Sequence, residues 1–203
     1  MKIARLFALL LLPLMVIAGC TATPPSTNGP VTKQDTSGQV SEQVAQDEVT
    51  KLTNAIMAMG PGIDPEEARS AASISYSYTA QLAREYEITD PPLVHNTKVN
   101  MGIKPRGLCW HWAEDMEKRL KQERFKTLQL HRAIANHDKA FRIEHSTAII
   151  SRRGDTMEQG IILDPWREGG TLFWSPLPKD TRYEWHPRAE VLAYKRELAA
   201  AAQ

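Results

Sequence analysis

The hydrophobic period of this chain changes once, and that change constrains the fold more than any other feature. Through Leu120 the apolar residues recur at helical spacing; from Thr127 they alternate. Val40, Val44, Val49, Leu52, Ile56 and Met59 form one stripe, which Gly60-Pro61-Gly62 stops. A second helix starts at Asp64, a good N-cap, with Pro65 in the first helical position and Glu67 placed to complete a capping box. Ala68, Ala71, Ala72, Tyr78, Leu82 and Tyr86 line its apolar face, and Asp90-Pro91-Pro92 closes it. Residues 91–106 read as an extended loop over the domain. Gly107 marks a turn, and Cys109, Trp112, Ala113, Met116 and Leu120 make a third stripe.

The second half reads as strands. TLQLHRAI (127–134) alternates weakly and RIEHSTAIIS (142–151) more clearly. In the latter, Ile143, His145, Thr147 and Ile149 share one face, Ala148 and Ile150 the other. Arg152-Arg153-Gly154-Asp155 is a turn, GIILD (160–164) and TLFWSP (171–176) are further strands, and a last helix covers about 188–201. Helices first and strands after predict an α+β domain. In it a helix beginning at Cys109 packs on a small antiparallel sheet.

Composition bears mainly on the N-terminus. Residues 1–19, MKIARLFALLLLPLMVIAG, carry a short basic head and an apolar run too short to span a membrane. They end in Ile17-Ala18-Gly19-Cys20, which resembles the bacterial lipobox. That resemblance implies a cleaved leader (1–19), lipidation of Cys20 and membrane attachment through the lipid. Thr21 after the Cys resembles the pattern of export to the outer membrane, facing the periplasm. Residues 20–39 then form a tether too polar to offset the entropy of ordering, with a reach of roughly 25 Å. The folded domain is expected over 40–203. Losing Lys2 and Arg5 takes 25 basic residues to 23 against 24 acidic ones. A phosphate-binding basic face is not expected from that balance, so no nucleic-acid partner is predicted.

The leader also settles the cysteine arithmetic. Cys20 and Cys109 are the only cysteines. With Cys20 consumed by lipid, Cys109 has no disulfide partner, and a spare thiol in an oxidising compartment is a liability. Cys109 falls in the first turn of its helix, where orphan N–H groups and the helix dipole favour a thiolate and a developing oxyanion. A small buried hydrophobe is the other role for such a Cys. A nucleophilic thiolate needs a base, and the base an orienting partner. His145 on a strand and Asp164 at the end of the next are those types. His111 lies two residues from Cys109 on the same helix, so the pair does not face one ligand. His111 is expected to pack near the site or cap toward solvent, His131 and His137 to flank an exposed loop. Trp110, Trp112 and Trp166 are expected in the core, with Trp166 shielding the site. Arg153-Gly154-Asp155 reads as a hairpin turn before it reads as an adhesion motif.

GLCWHWAED opening a helix, IEHSTAII in a strand and GIILDPW in the next resemble the transglutaminase-like branch of the papain-like cysteine peptidase superfamily. Cys109-Trp110 is similar to papain-type enzymes and Asp164-Pro165 to transglutaminase-like domains. The resemblance covers about residues 100–175. It implies a Cys109, His145, Asp164 triad, acyl transfer or hydrolysis at an amide bond, and a side-chain oxyanion donor upstream of the Cys. Asn96 and Asn100 are the amide candidates for that donor. A peptidase or amidase would pass the acyl group to water, a transglutaminase to an amine. The predicted compartment makes peptides, including peptidoglycan stem peptides, candidate substrates. The alternative is a non-catalytic envelope lipoprotein that uses the fold for binding or scaffolding. No cofactor or metal is expected, because neither HExxH nor a paired-Cys motif occurs.

Overall fold

The computed structural model describes residues 36–202, with side chains described from Glu42 onward. The predicted leader, Cys20 and most of the predicted tether lie outside the described residues. The chain is α+β. Its helices are α1 (Thr36–Met57), α2 (Pro65–Glu85), α3 (Pro92–Asn100), α4 (Cys109–Lys121) and α5 (Arg188–Ala201). Its strands are β1 (Leu128–Ala135), β2 (His145–Arg152), β3 (Ile161–Asp164), β4 (Phe173–Pro176) and β5 (Trp185–Pro187). They form one sheet in the order β4-β3-β2-β1-β5. Every pairing in it is antiparallel.

Helix α4 packs across β2, β1 and β3, and α2 packs on α4. The main core follows from the stripes. Leu52 and Ile56 of α1, Ala68, Ala71 and Ala72 of α2, and Met116 and Leu120 of α4 meet Ala148, Ile150 and Leu163 of the sheet. Burying a large side chain of this kind contributes about 1.5–3 kcal/mol. Two hydroxyls on the buried face of α2 are satisfied within the helix. Ser75 donates to Ala71 O at 2.7 Å and Thr79 to Ser75 O at 2.6 Å. The opposite face of the sheet is buried as well, by Ala133, Ile149, Met157, Ile162 and Trp185.

Five expectations need correction. Residues 91–106 are not an extended loop: Pro92–Asn100 is helical, with Pro92 in the first turn, where its missing N–H costs nothing. Glu67 does not close a capping box. Asp64 Oδ1 accepts from Glu66 N and Glu67 N, while the Asp64 N–H goes to Thr127 Oγ1 at 3.0 Å. The Glu67 carboxylate instead accepts from Lys126 N and Thr127 N, tying the start of α2 to the entry of β1. β2 begins at His145, so Ile143 lies outside it and is 58% exposed. Asn136 Nδ2 donates to Ile143 O and keeps that segment in the loop. Trp110 is 46% exposed, because the stripe of α4 turns away from its position. His131 stands within β1, half-buried, and His137 is half-buried too.

Candidate functional site

The turn before α4 is fixed by close packing. Gly107 has φ 123, and a Cβ there would sit 2.4 Å from His95 Nε2. His95, buried on α3, donates through that nitrogen to Arg106 O at 2.8 Å. Trp112 Nε1 donates to Gly107 O at 3.0 Å. The N-cap of α4 is Leu108, which has no capping oxygen. His111 supplies the missing acceptor. Its Nδ1 takes hydrogen bonds from Gly107 N and Leu108 N, both at 3.2 Å. Burial, then the Arg106 charge, hold its pKa below the ordinary histidine value. A neutral imidazole is the form that accepts these bonds.

Cys109 is the first residue of α4, and its thiol contacts Glu144 O at 3.7 Å. It packs with Trp112, Tyr86 and Trp166. Among the described residues it is the one free cysteine. His145, first residue of β2, is buried beside it. Trp166, Tyr183 and Trp185 surround the imidazole, with ring centroids 4.7, 4.8 and 5.3 Å away. His145 Nε2 donates to Asp164 Oδ2 at 2.6 Å. The other nitrogen, Nδ1, is buried without a hydrogen-bond partner. Burial lowers the His145 pKa, but the Asp164 carboxylate and then the Cys109 side chain outweigh it and take it up to about 9. The antiparallel register explains the approach. β2 and β3 run side by side with Ala148 opposite Leu163, which brings the start of β2 near the end of β3.

Asp164 is held by more than histidine. Its Oδ1 accepts from Arg167 N at 3.2 Å, and its Oδ2 from Arg167 Nε at 3.1 Å. The Arg167 guanidinium continues to Asp180 at 2.7 and 3.2 Å and is only 3% exposed. Asp180 also accepts from Trp185 Nε1 at 2.9 Å. The cation lies over the rings of Phe173 and Tyr183, at 3.9 and 4.8 Å. A buried guanidinium between two carboxylates keeps its charge compensated.

Comparison with protein-family models, curated proteins and solved structures finds no match for this chain.

The structure brings Cys109, His145 and Asp164 together. It also separates the two amide candidates. Asn96 on α3 accepts from Trp166 Nε1 at 3.0 Å through Oδ1, and Trp166 in turn lies on His145. Asn100 is exposed at the end of α3. Both line, with Cys109 and Trp110, a cavity of about 440 Å³. Among the described residues no group of three His, Cys, Asp or Glu side chains is placed to hold a metal ion. Arg167, Asp180, Tyr183 and Trp185 were not expected at the site. Arg167 had a faint signal, three residues after Asp164 and within reach of its carboxylate around the turn. Asp180 and Tyr183 lie in a connection with no periodicity, and Trp185 opens the three-residue strand β5, too short to show one.

Proposed function

We propose that this domain is a cysteine-dependent acyl-transfer enzyme acting on amide bonds, related to the transglutaminase-like branch of the papain-like superfamily. The observation that carries the reading is the wiring of His145. One ring nitrogen is committed to Asp164 at 2.6 Å, and the other has no hydrogen-bond partner on the side where Cys109 acts on it. An imidazole whose pKa is about 9 keeps its proton at neutral pH and stabilises a neighbouring thiolate.

Each step follows from that wiring. The Cys109 thiolate attacks the amide carbonyl carbon. The carbonyl oxygen gains the negative charge, facing the unpaired N–H groups at the start of α4. Asn96 is the better-placed side-chain donor, because Trp166 holds its oxygen and leaves the NH₂ as the free end. As the C–N bond breaks, His145 gives its proton to the leaving amine, and a thioester remains on Cys109. Water or a second amine then attacks the thioester, losing its proton to His145. The acyl product leaves and the thiolate returns. Asp164 orients the imidazole and stabilises its charged form throughout.

Cys20 as lipid anchor, and a domain facing the periplasm from the outer membrane, are part of the same proposal and rest on the sequence. Mass spectrometry of the mature N-terminus tests the anchor: an unmodified Cys20 thiol would refute it. Peptides, including those of the cell wall, are the substrates that compartment offers.

The test of the chemistry is the rate of Cys109 alkylation by iodoacetamide against pH, in wild type and His145→Ala, with folding of both followed by circular dichroism. Rapid alkylation at neutral pH, slowed at least tenfold by the substitution in a folded protein, is the expected result. Slow alkylation in both would overturn the reading and leave a binding or scaffolding lipoprotein.

A further inference from the structure

A second cavity, of about 1020 Å³, opens on the His145 side of the site. It adjoins the smaller one through Ile143, which lines both. The two differ in charge. The smaller cavity has charges of both signs: Glu114, Arg132, Glu144 and Arg188. Most of these are already paired, Glu114 with Lys118, Arg132 with Glu117 and Glu144 with Lys195. The larger cavity is lined by Arg142, Arg167 and Arg182 and by no acidic side chain. Arg167 is spent on Asp164 and Asp180. Arg142 and Arg182 are exposed, and neither is paired with a carboxylate among the described residues. Acidic residues close to them in the chain are engaged elsewhere: Asp138 and Glu184 hold Lys139, and Glu144 holds Lys195.

Arg182 lies over the Tyr183 ring at 5.5 Å, and the apolar part of the same wall is exposed too. Leu93 and Val94 of α3 and Phe141 and Ile143 of the β1–β2 loop are all exposed where they line this cavity. Phe141 is fully exposed and held at φ 63, a left-handed conformation that costs a bulky side chain energy. Four exposed apolar side chains lining one cavity mark a contact surface. Two arginines beside it add a preference for carboxylate, which a guanidinium grips through two parallel hydrogen bonds.

We propose that this cavity binds an acidic stretch of a peptide substrate, with a side-chain carboxylate on Arg142 and Arg182 and an adjacent apolar side chain against Phe141 and Leu93. This assignment of substrate class rests on the reading of Cys109 and His145 as the reacting pair. It makes the site selective for amide bonds close to a Glu or Asp.

The test uses the full-length Cys109→Ala protein in mild detergent, so that binding is measured without turnover. The probes are end-blocked, fluorescein-labelled tetrapeptides, Ala-Glu-Phe-Ala, Ala-Gln-Phe-Ala and Ala-Lys-Phe-Ala, followed by fluorescence anisotropy. The Glu peptide is expected to bind about tenfold tighter than the Gln peptide, in line with a charge-assisted hydrogen bond, and its affinity falls with added salt. Adding Arg142→Gln and Arg182→Gln removes that preference, while the melting temperature stays unchanged. Equal binding of the three peptides, no binding, or a preference that survives the arginine substitutions would overturn the assignment. Cys109 alkylation, measured in the arginine variant with its thiol intact, separates the two readings. An inert thiol in wild type sinks the acyl-transfer chemistry, whereas a reactive thiol with no peptide preference sinks only the substrate class.

Discussion

Two histidines flank Cys109, and the structure wires them in opposite ways. His111 stands on the helix side, where its Nδ1 accepts from two backbone N–H groups and no carboxylate makes a hydrogen bond to it. Burial and the Arg106 cation keep it neutral. His145 stands on the sheet side, where the Asp164 carboxylate overrides a deeper burial and keeps it protonated. One imidazole is a helix cap and the other is suited to carry a proton. Burial alone does not separate them, since both are below a tenth exposed. The Asp164 carboxylate on His145 Nε2 does.

The most direct way to break the contrast is Asp164→Asn. It leaves the shape of the site but removes the anion, so His145 becomes neutral like His111. Iodoacetamide reactivity of Cys109 at pH 7 is expected to fall about 100-fold or more, the scale on which orienting carboxylates act in such triads. Retained reactivity would show that the carboxylate is not what sets the proton on His145.

Next in size is Arg167→Met, read as stability. It leaves Asp164 and Asp180 buried without their shared cation and is expected to cost roughly 3–5 kcal/mol in urea unfolding. The reactivity of Cys109 should fall with it, because Asp164 loses the hydrogen bond from Arg167 Nε and keeps only those from His145 and the backbone N–H of residue 167. A melting curve like that of wild type would mean that the ion cluster is not what holds the His145 side.

On the helix side the counterpart is His111→Ala, which removes a capping acceptor. It is expected to cost about 1 kcal/mol, as other lost caps do, with α4 still formed. A loss as large as that of Arg167→Met would erase the distinction between a neutral cap and a buried charge cluster.

The pH dependence sharpens the contrast by its sign. The His145 pKa is raised in the fold from 6.5 to about 9. Its contribution to stability is therefore complete below about pH 6.5 and is lost as pH rises through about 9. The His111 pKa is lowered from 6.5, so its contribution is present above that value and is lost as pH falls below it. Unfolding free energies from pH 5 to 9.5 should show the gap between wild type and His145→Gln closing at the alkaline end. The gap between wild type and His111→Ala should close at the acid end. Gaps that close at the same end would contradict the opposite wiring.

Much of this could be read before any coordinates. The stripe Cys109, Trp112, Ala113, Met116 and Leu120 is buried as its spacing required, and the strands fall within a few residues of their alternation. β5 escaped because Trp185–Pro187 is too short to alternate. α3 escaped because its exposed Leu93 and Val94 leave no apolar stripe, and a pair of prolines at its start reads as a loop. Cys109, His145 and Asp164 were legible as residue types at a helix start and on two later strands. Their cage was not, because Asp180 and Tyr183 come from a connection, and Trp185 from a very short strand, whose fold depends on what they pack against.

What the sequence determined by itself is local. Spacing along one chain decides which side of a helix or strand is apolar, and turn residues decide where each element stops. Thus every helix but α3, every strand but β5, the helix start at Cys109 and the antiparallel sheet were present in it. Only the tertiary structure decided the environment of each ionisable group. The raised pKa of His145, the hydrogen bond between Asn96 and Trp166, and the two arginines of the second cavity that have no carboxylate partner among the described residues each depend on neighbours distant in the chain. Burial and Coulomb interaction act across space, over a few ångströms that no sequence spacing reports.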